Sequence, residues 1–476
     1  MVVNKAYDCV VIGSGQGGTP LAGAFAKAGR RTALIERAHI QGCCVNEGCT
    51  PTKTMVASGR VAYLARRAAG YGVHSLHGED GKVNVDMERV RQRKRDIVIS
   101  FRGGSEARVH TAGVDVLMGE ANFTDAKTLH VKLNDGSEAS VTADTIFINT
   151  GERPAKPTLP GLETVPGARV LDSTSVQELG DVPSHLVVLG GGYIGLEFGQ
   201  LFRRLGASVT IVQRSSQLLP REDRDVADEM LKIMREDGIV VHLNTTATAV
   251  SSTSNEPIKL AVQKADKTED IVTGSHLLFA AGRVPNTDML NLPAAGVAVT
   301  RRTGHIITNE RLETNVPLIY AMGDVKGPPA FTHISYDDFR IHQANVLDKS
   351  GPPLTMTNRI VPYVVYTDPQ LGHVGLQERE AREKFPNRKI QTAKMPMEYI
   401  ARALETEETR GFMKATVDGE SGEILGFTCI GVEGGELMSM VQLAMMGGLK
   451  YQKLRDGVFA HPAWAESLNN IWNFLE

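Results

Sequence analysis

Two stretches of the chain repeat one pattern of apolar and polar positions. Tyr7-Asp8-Cys9-Val10-Val11-Ile12 is a short apolar run that flows into Gly13-Ser14-Gly15-Gln16-Gly17-Gly18, then into a helical pattern ending near Gly29. A second apolar run, Thr32-Ala33-Leu34-Ile35-Glu36, follows it. The other copy begins at His185-Leu186-Val187-Val188-Leu189 and meets Gly190-Gly191-Gly192-Tyr193-Ile194-Gly195. A helical pattern then ends near Gly206, and Val209-Thr210-Ile211-Val212-Gln213 closes the unit. Short apolar runs bounded by glycine turns predict buried parallel strands, and strand, G-x-G-x-x-G and helix in that order begin a βαβ unit. A further pair repeats as well. Thr145-Ile146-Phe147-Ile148-Asn149-Thr150-Gly151 is matched by His276-Leu277-Leu278-Phe279-Ala280-Ala281-Gly282, each a strand ending at a glycine turn.

These patterns predict an α/β chain with two Rossmann-like nucleotide-binding domains. The first spans residues 1–152 and resumes at 281–345; the second, at 153–280, is inserted into it. Gly351-Pro352-Pro353 marks the next boundary. Residues 346–476 mix strand patterns (Tyr363 to Tyr366) with helical ones (Glu436 to Met446), which predicts an α+β domain. The basic stretch Arg89 to Arg95 reads as a solvated helix face.

Composition narrows the class of protein. The 476 residues carry 52 Lys+Arg against 55 Asp+Glu, a formal net charge of −3, so no basic field suited to nucleic acid is present. The 42% hydrophobic and 22% charged content is that of a globular protein with ample core. Residues 1–7 lack a signal-peptide layout and the apolar run after them is too short to span a bilayer, so a cytoplasmic location is expected and no membrane partner. The five cysteines are too few for a secreted disulfide framework. Cys43, Cys44 and Cys49 cluster, however, and no second Cys/His pair follows at zinc-finger distance, so redox chemistry leads and no metal site is expected. Cys9 and Cys429 read as core.

A G-x-G-x-x-G loop earns weight only between a strand and a helix, and both copies have that context. The glycines (Gly13, Gly15, Gly18; Gly190, Gly192, Gly195) permit a tight turn and close backbone approach, with a pyrophosphate on the helix N-terminus. A carboxylate is due roughly 20 residues on to bind an adenosine ribose, and Glu36 stands there. The second copy has Gln213 at that place, followed by Arg214, with Arg221 nearby. A neutral amide removes repulsion of a 2′-phosphate and a guanidinium can bind one, so NADPH is expected over NADH; NADH stays open, since Gln213 can also bond a ribose hydroxyl.

Two dinucleotide sites in one chain imply a relay to another redox group. Gly42-Cys43-Cys44-Val45-Asn46-Glu47-Gly48-Cys49-Thr50-Pro51-Thr52-Lys53 resembles the redox-disulfide signature of the pyridine nucleotide–disulfide oxidoreductases, which include dihydrolipoamide dehydrogenase, glutathione reductase and mercuric reductase. The resemblance covers almost the whole chain. It implies an FAD-dependent enzyme in which Cys44 is the interchange thiol that meets substrate and Cys49 the charge-transfer thiol over the flavin. It also implies that Lys53 sits near flavin N5 and pairs with Glu197. Thr314 to Asp324 resembles the family's second FAD motif, with Asp324 on a ribityl hydroxyl, and Ala121 and Thr332 match positions that reach FAD through backbone groups. Thr150-Gly151 and Gly282-Arg283-Val284-Pro285-Asn286 match the turns where the nucleotide domains exchange the chain.

His461-Pro462-Ala463-Trp464-Ala465-Glu466 resembles the family's His-Pro-x-x-x-Glu. A thiol of pKa ~8.5 is only a few per cent thiolate at pH 7, and an imidazole oriented by a carboxylate supplies the missing base. In the family this domain forms a homodimer in which His461 of one subunit would complete the other subunit's site. Within the family, Gln213 disfavours a lipoamide dehydrogenase, and the tail Ile471 to Glu476 lacks the cysteine pair of mercuric reductases. Pro51-Thr52-Lys53-Thr54-Met55 and the run after Trp464 look closest to the mercuric-reductase-like branch that contains reductases linked to resistance to reactive chlorine species. The acceptor expected is thus a disulfide, a reactive oxidant or a soft metal ion. Dihydrolipoamide dehydrogenase is the alternative enzyme, and a redox-sensing flavoprotein the alternative of another class. Cys43 stands where the family usually has Thr; it reads as a small replacement, with a third thiol for a soft metal as the other reading.

Overall fold

The computed structural model describes residues 2–74, 83–253, 256–357 and 359–476. The chain forms two compact units, one of Met1–Thr54, Arg89–Lys156 and Gly282–Arg359, the other of Met55–Glu88, Pro157–Ala281 and Ile360–Glu476.

The first unit is built on a parallel sheet. Strand β1 (Val3–Ile12) lies between β2 (Thr32–Glu36) and β5 (Glu138–Ile148), with Val10 opposite Ala33 and Ile146. The start of β3 (Asp115–Asp125) extends the parallel sheet beside β2, and the strand Ile319–Ala321 extends it beside β5. The rest of β3, β4 (Thr128–Leu133) and the start of β5 form an antiparallel meander. The apolar runs are continuous because the sheet is covered on both faces. Val10, Ile12, Ile35 and Ile148 join the layer packed with the meander and Leu290–Val297. Their neighbours Cys9, Val11, Leu34 and Phe147 join Leu21, Ala22 and Phe25 of helix α1 (Gly18–Lys27) on the other face. A short helix and a long one follow β2: α2 (Gly42–Asn46) and α3 (Cys49–Arg67). Helix α4 (Met87–Thr111) comes next. Arg89, Arg93 and Arg95 are exposed, as a solvated face requires, and Lys94 is the exception. Lys94 is buried and Arg93 donates to the Thr54 carbonyl at 2.8 Å, because α4 lies along the start of α3.

The second unit repeats the design. His185–Leu189 is flanked in parallel by Ser208–Val212 and His276–Phe279, with Val240–His242 and Val170–Leu171 at the edges. Helix α5 (Tyr193–Leu205) follows the glycine loop. A three-stranded antiparallel sheet, Thr245–Ser251, Ile258–Lys264 and Glu269–Gly274, packs its Val250, Leu260 and Val272 against Val187, Leu189 and Leu277. Residues 362–431 form a five-stranded antiparallel sheet covered by the helix Gly434–Met446, whose Leu437, Met438 and Val441 meet Met413, Ala415 and Phe427. The mixed α/β architecture is as expected. The strand predicted at 209–213 runs from Ser208 to Val212; the Gln213 N–H still donates to the His242 carbonyl at 2.9 Å, while its side chain turns to the glycine loop.

Candidate active site

In the first unit the glycine loop sits where β1 hands over to α1. Gly13 has φ +97°, and a Cβ there would collide with the Asn149 carbonyl; one on Gly18 would collide with the Gly13 carbonyl, so both loop ends exclude side chains. Glu36, at the end of β2, accepts from the Ser14 N–H (3.0 Å), the Ser14 hydroxyl (2.6 Å) and the Ala38 N–H (2.9 Å). Asn149 accepts from the Gly18 N–H and donates to the Met322 carbonyl, both at 2.9 Å. It therefore staples the loop to the start of the Asp324 turn.

These elements wall an open cleft of about 960 Å³, continuous with solvent and lined among others by Gly13, Gly15, Glu36, Cys44, Thr150, Gly151, Asp324 and Thr332. An adjoining pocket, also open to solvent, shares Gly13, Glu36 and Thr150 and ends on Gly119, Ala121 and Leu290. The pair of cavities has an apolar end, a carboxylate beside a helix N-terminus free of side chains, and a polar end with two thiols. That sequence of surfaces suits an adenine, a ribose with pyrophosphate, and a redox-active ring. The residues present fit FAD.

The thiols meet at the polar end. Thr332 donates to Cys44 Sγ at 3.1 Å and lies 3.6 Å from Cys49 Sγ. Its hydroxyl is a role the sequence reading, which gave it only a backbone contact, did not find. The hydrogen bond from Cys49 and burial push the Cys44 thiol well above its ordinary range, against the Thr332 hydroxyl, so Cys44 in the reduced pair needs a base. Burial also raises Cys43, opposed by the Arg283 guanidinium, whose Nη2 is 3.6 Å from its sulfur. Arg283 donates to the Glu152 carbonyl (2.7 Å), and the Glu152 carboxylate holds His305 Nε2 at 2.8 Å. Asp324 is raised to about 6 by burial and then by the Glu152 charge, with Arg283 and Lys326 opposing. Nothing in the sequence pattern singled out Asn149, Glu152 or His305. Thr150 donates to the Asn286 carbonyl at 3.0 Å, tying two of the predicted turns together. Gly282 takes φ +149° and accepts from the Ala155 N–H at 3.1 Å, a turn residue outside the cleft lining. Lys53 lies one turn beyond Cys49 on α3.

The second unit holds the other predicted groups. Gly190 has φ +114°, a Cβ on it would stand 2.6 Å from the Ala280 carbonyl, and one on Gly195 would collide with the Gly190 carbonyl. Gly192 caps α5 with open space around it. Gln213 Oε1 accepts from the Gly191 N–H at 3.0 Å, while its Nε2 donates to Ser215 and to the Gln217 carbonyl. Arg214 and Arg221 are exposed. Glu197, on α5, is buried and accepts from the Tyr366 N–H at 2.9 Å. Glu222, missed from the sequence, is buried and accepts from Tyr363 and from Gln377, both at 2.6 Å. His461 is exposed, and its Nδ1 faces both oxygens of Glu466, at 2.9 and 3.1 Å. That contact orients the ring and leaves Nε2 as the nitrogen able to take a proton.

The family model for "Pyridine nucleotide-disulphide oxidoreductase" matches residues 7–346, and that for its dimerisation domain matches 361–471. The chain belongs to the pyridine nucleotide-disulphide oxidoreductases. Members of this family are FAD-dependent enzymes that take electrons from NAD(P)H. The chain is 37% identical, over the full length of both, to the probable pyridine nucleotide-disulfide oxidoreductase RclA of Escherichia coli. It is 33% identical to the mercuric reductase of Bacillus cereus, covering 98% of this chain and 71% of that one. A dihydrolipoyl dehydrogenase of Bacillus subtilis is 31% identical over 96% of each. A solved Cu(II) complex of the HOCl-induced flavoprotein disulfide reductase RclA from Escherichia coli superposes with a TM-score of 0.87 at 36% identity, covering 98% of this chain and 99% of that one. This pyridine nucleotide-disulphide oxidoreductase carries its family's dimerisation domain, and among the described residues no helix is long and apolar enough to cross a membrane.

Proposed function

We propose that the chain is an NADPH-driven reductase whose Cys44–Cys49 pair delivers electrons to a small oxidised acceptor: a disulfide, a reactive oxidant or a soft metal ion. The observation that carries this is the Thr332 hydroxyl set between two adjacent sulfurs in a cleft walled by the first glycine loop and Asp324. Residues 1–152 and 281–345 are assigned to FAD, 153–280 to the nucleotide and 346–476 to dimerisation. Gly13, Gly15, Gly18, Glu36, Ala121, Thr150, Gly151, Asp324 and Thr332 hold FAD, with Lys53 and Glu197 supplying charge at its reactive end. Gly190, Gly192, Gly195, Gln213 and Arg214 hold NADPH. Bound there, FAD supplies the exchange between a two-electron hydride donor and a disulfide.

The chain's own residues do the rest. Reduction of the Cys44–Cys49 bond by two electrons gives two thiols. For a disulfide acceptor, Cys44, deprotonated by His461 Nε2, attacks one sulfur and expels a thiolate that takes the proton back from the imidazolium; Cys49 then attacks the Cys44 sulfur, expelling the second thiolate, which takes the Cys49 proton, so the Cys44–Cys49 bond reforms and two thiols leave. Glu466 holds the ring and favours its charged form.

His461 acts in the site of the other subunit of a homodimer. Support comes from the helix Gly434–Met446, which exposes Met440, Leu443 and Met446, with Leu449 just beyond, as one apolar stripe. The neutral Gln213, held where a carboxylate would repel a 2′-phosphate, favours this reading over a dihydrolipoamide dehydrogenase. The His461–Glu466 base favours an enzyme over a redox sensor. NADPH consumption by the purified flavoprotein against disulfides, hypochlorous and hypothiocyanous acids, Cu(II), Hg(II) and lipoamide tests the proposal. At least one of the first four classes should be turned over and lost in Cys44→Ser; turnover confined to lipoamide with NADH, or to dihydrolipoamide with NAD⁺, would replace it by the alternative.

A further inference from the structure

Glu222 is only 1% exposed, and the donors that meet its carboxylate are uncharged. Tyr363 Oη and Gln377 Nε2 donate to it at 2.6 Å, and Tyr193 Oη at 3.3 Å. A cation stands one residue along, where Lys414 Nζ pairs with Asp223 at 3.0 Å. Burial therefore pushes the Glu222 carboxyl above its ordinary range, against the bonds from Tyr363, Gln377 and Tyr193. An apolar side chain of similar size would avoid that desolvation, so stability alone does not account for a carboxylate here.

Its bonds lead to the second glycine loop. Tyr193 opens α5 directly after Gly192, and its ring lies on Tyr363, with centroids 5.6 Å apart and planes 26° from parallel. Glu222 itself ends the loop that begins at Gln213. Within that loop Gln213 Nε2 donates to the Gln217 carbonyl at 3.2 Å, and Gln217 Nε2 to the Glu222 carbonyl at 3.0 Å. The middle of the loop is fixed on the glycines, since the Leu219 N–H donates to the Gly191 carbonyl at 2.9 Å. Beyond that point the Glu222 carboxylate ties the chain back to Tyr193 and Tyr363.

The residue between those two anchors is Arg221, which is exposed. Its charge bears on the Tyr193 hydroxyl, favouring the ionised form against burial, so the guanidinium shares the corner that Glu222 and Tyr193 make. A guanidinium on an unlatched segment binds an anion more weakly, because the segment must be ordered when the ligand arrives.

We propose that Glu222 is a positioning residue of the nucleotide site: its carboxylate latches the end of the 213–222 loop to Tyr193 and so holds Arg221 where the guanidinium meets a 2′-phosphate. The proposal rests on the assignment of the second glycine loop to NADPH.

The test measures binding to the oxidised, FAD-loaded enzyme by calorimetry, beside flavin content and thermal midpoint. Adenosine 2′,5′-bisphosphate is the probe that carries the 2′-phosphate, and 5′-AMP the probe that lacks it. Glu222→Leu should weaken the bisphosphate about fivefold, the share of an exposed guanidinium, and leave 5′-AMP unchanged. Glu222→Gln keeps an oxygen for both tyrosine hydroxyls and should recover most of that affinity. Arg221→Ala should also cost about fivefold, and adding it to Glu222→Leu should cost little more, because the two act as one unit. Tyr193→Phe removes the hydroxyl at the other end of the latch; it should weaken the bisphosphate about twofold with 5′-AMP unchanged, and carries the test if Glu222→Leu does not fold. Parent-like binding of the bisphosphate by Glu222→Leu would overturn the proposal. So would equal loss of both probes, Glu222→Gln as weak as Glu222→Leu, or losses that multiply in the double variant. A parent enzyme that binds the bisphosphate no better than 5′-AMP removes the NADPH assignment and the proposal with it. A parent that prefers the bisphosphate, beside an unchanged Glu222→Leu, removes only the role of Glu222.

Discussion

The two glycine loops of this chain share a backbone and differ in one functional group. In each, the N–H of the residue after the first glycine, Ser14 or Gly191, donates at 3.0 Å to the side chain closing the next strand, Glu36 or Gln213. Both side chains are buried to a similar degree. The fold thus fixes the acceptor oxygen and leaves its charge to the sequence. Glu36 keeps a carboxylate held by three donors; Gln213 presents a neutral amide whose nitrogen is drawn into its own loop. Under the proposed assignment, one geometry repeated with and without a negative charge would give two sites that prefer different dinucleotides.

Exchanging the groups is the way to break that comparison. Gln213→Glu should produce the largest effect, cutting kcat/KM for NADPH by roughly 100-fold while sparing NADH, since a charge-assisted contact is worth about 1.5–3 kcal/mol and here becomes a repulsion. Steady-state kinetics with both nucleotides read it, and an unchanged ratio would mean the 2′-phosphate lies elsewhere. In the other loop, Glu36→Gln should weaken FAD roughly tenfold on reconstitution of the apoprotein, followed by flavin fluorescence, through loss of the same class of bond. Arg214→Ala should cost NADPH only about fivefold and NADH nothing, because an exposed guanidinium contributes less than about 1 kcal/mol.

The smallest effect concerns Asp324. Its carboxyl titrates near 6 in the folded chain, above its ordinary 3.8, so folding disfavours its charged form. The stabilisation is therefore present in full below the ordinary value and is lost as pH rises through about 6. Relative to Asp324→Asn, the apoprotein's thermal midpoint should gain a few degrees on going from pH 7 to pH 4.5. Parallel curves for the two proteins would contradict it.

Much of this was legible in the residues. The two βαβ beginnings could be read because buried parallel strands are apolar on both faces and end at glycines whose side chains would collide with neighbouring carbonyls. The cysteine cluster was legible through spacing, and the Cys44–Cys49 pair and the His461–Glu466 contact through the resemblance of their segments to the family's motifs. What escaped were groups whose partners are remote in sequence. Asn149 bonds Gly18 and Met322, and Glu152 bonds His305, across separations that no local pattern reports. The burial of Lys94 escaped, because the charge pattern along a helix does not show which one of its positions is covered. The Thr332 hydroxyl was not legible, since only the folded cleft brings it to both sulfurs.

The most direct trial of the whole account is a count of thiols in the flavoprotein before and after anaerobic reduction with one equivalent of NADPH, with each labelled cysteine mapped by mass. The account predicts two new thiols per chain, at Cys44 and Cys49, with Cys9 and Cys429 unchanged. A constant count, or new thiols anywhere else, would contradict it.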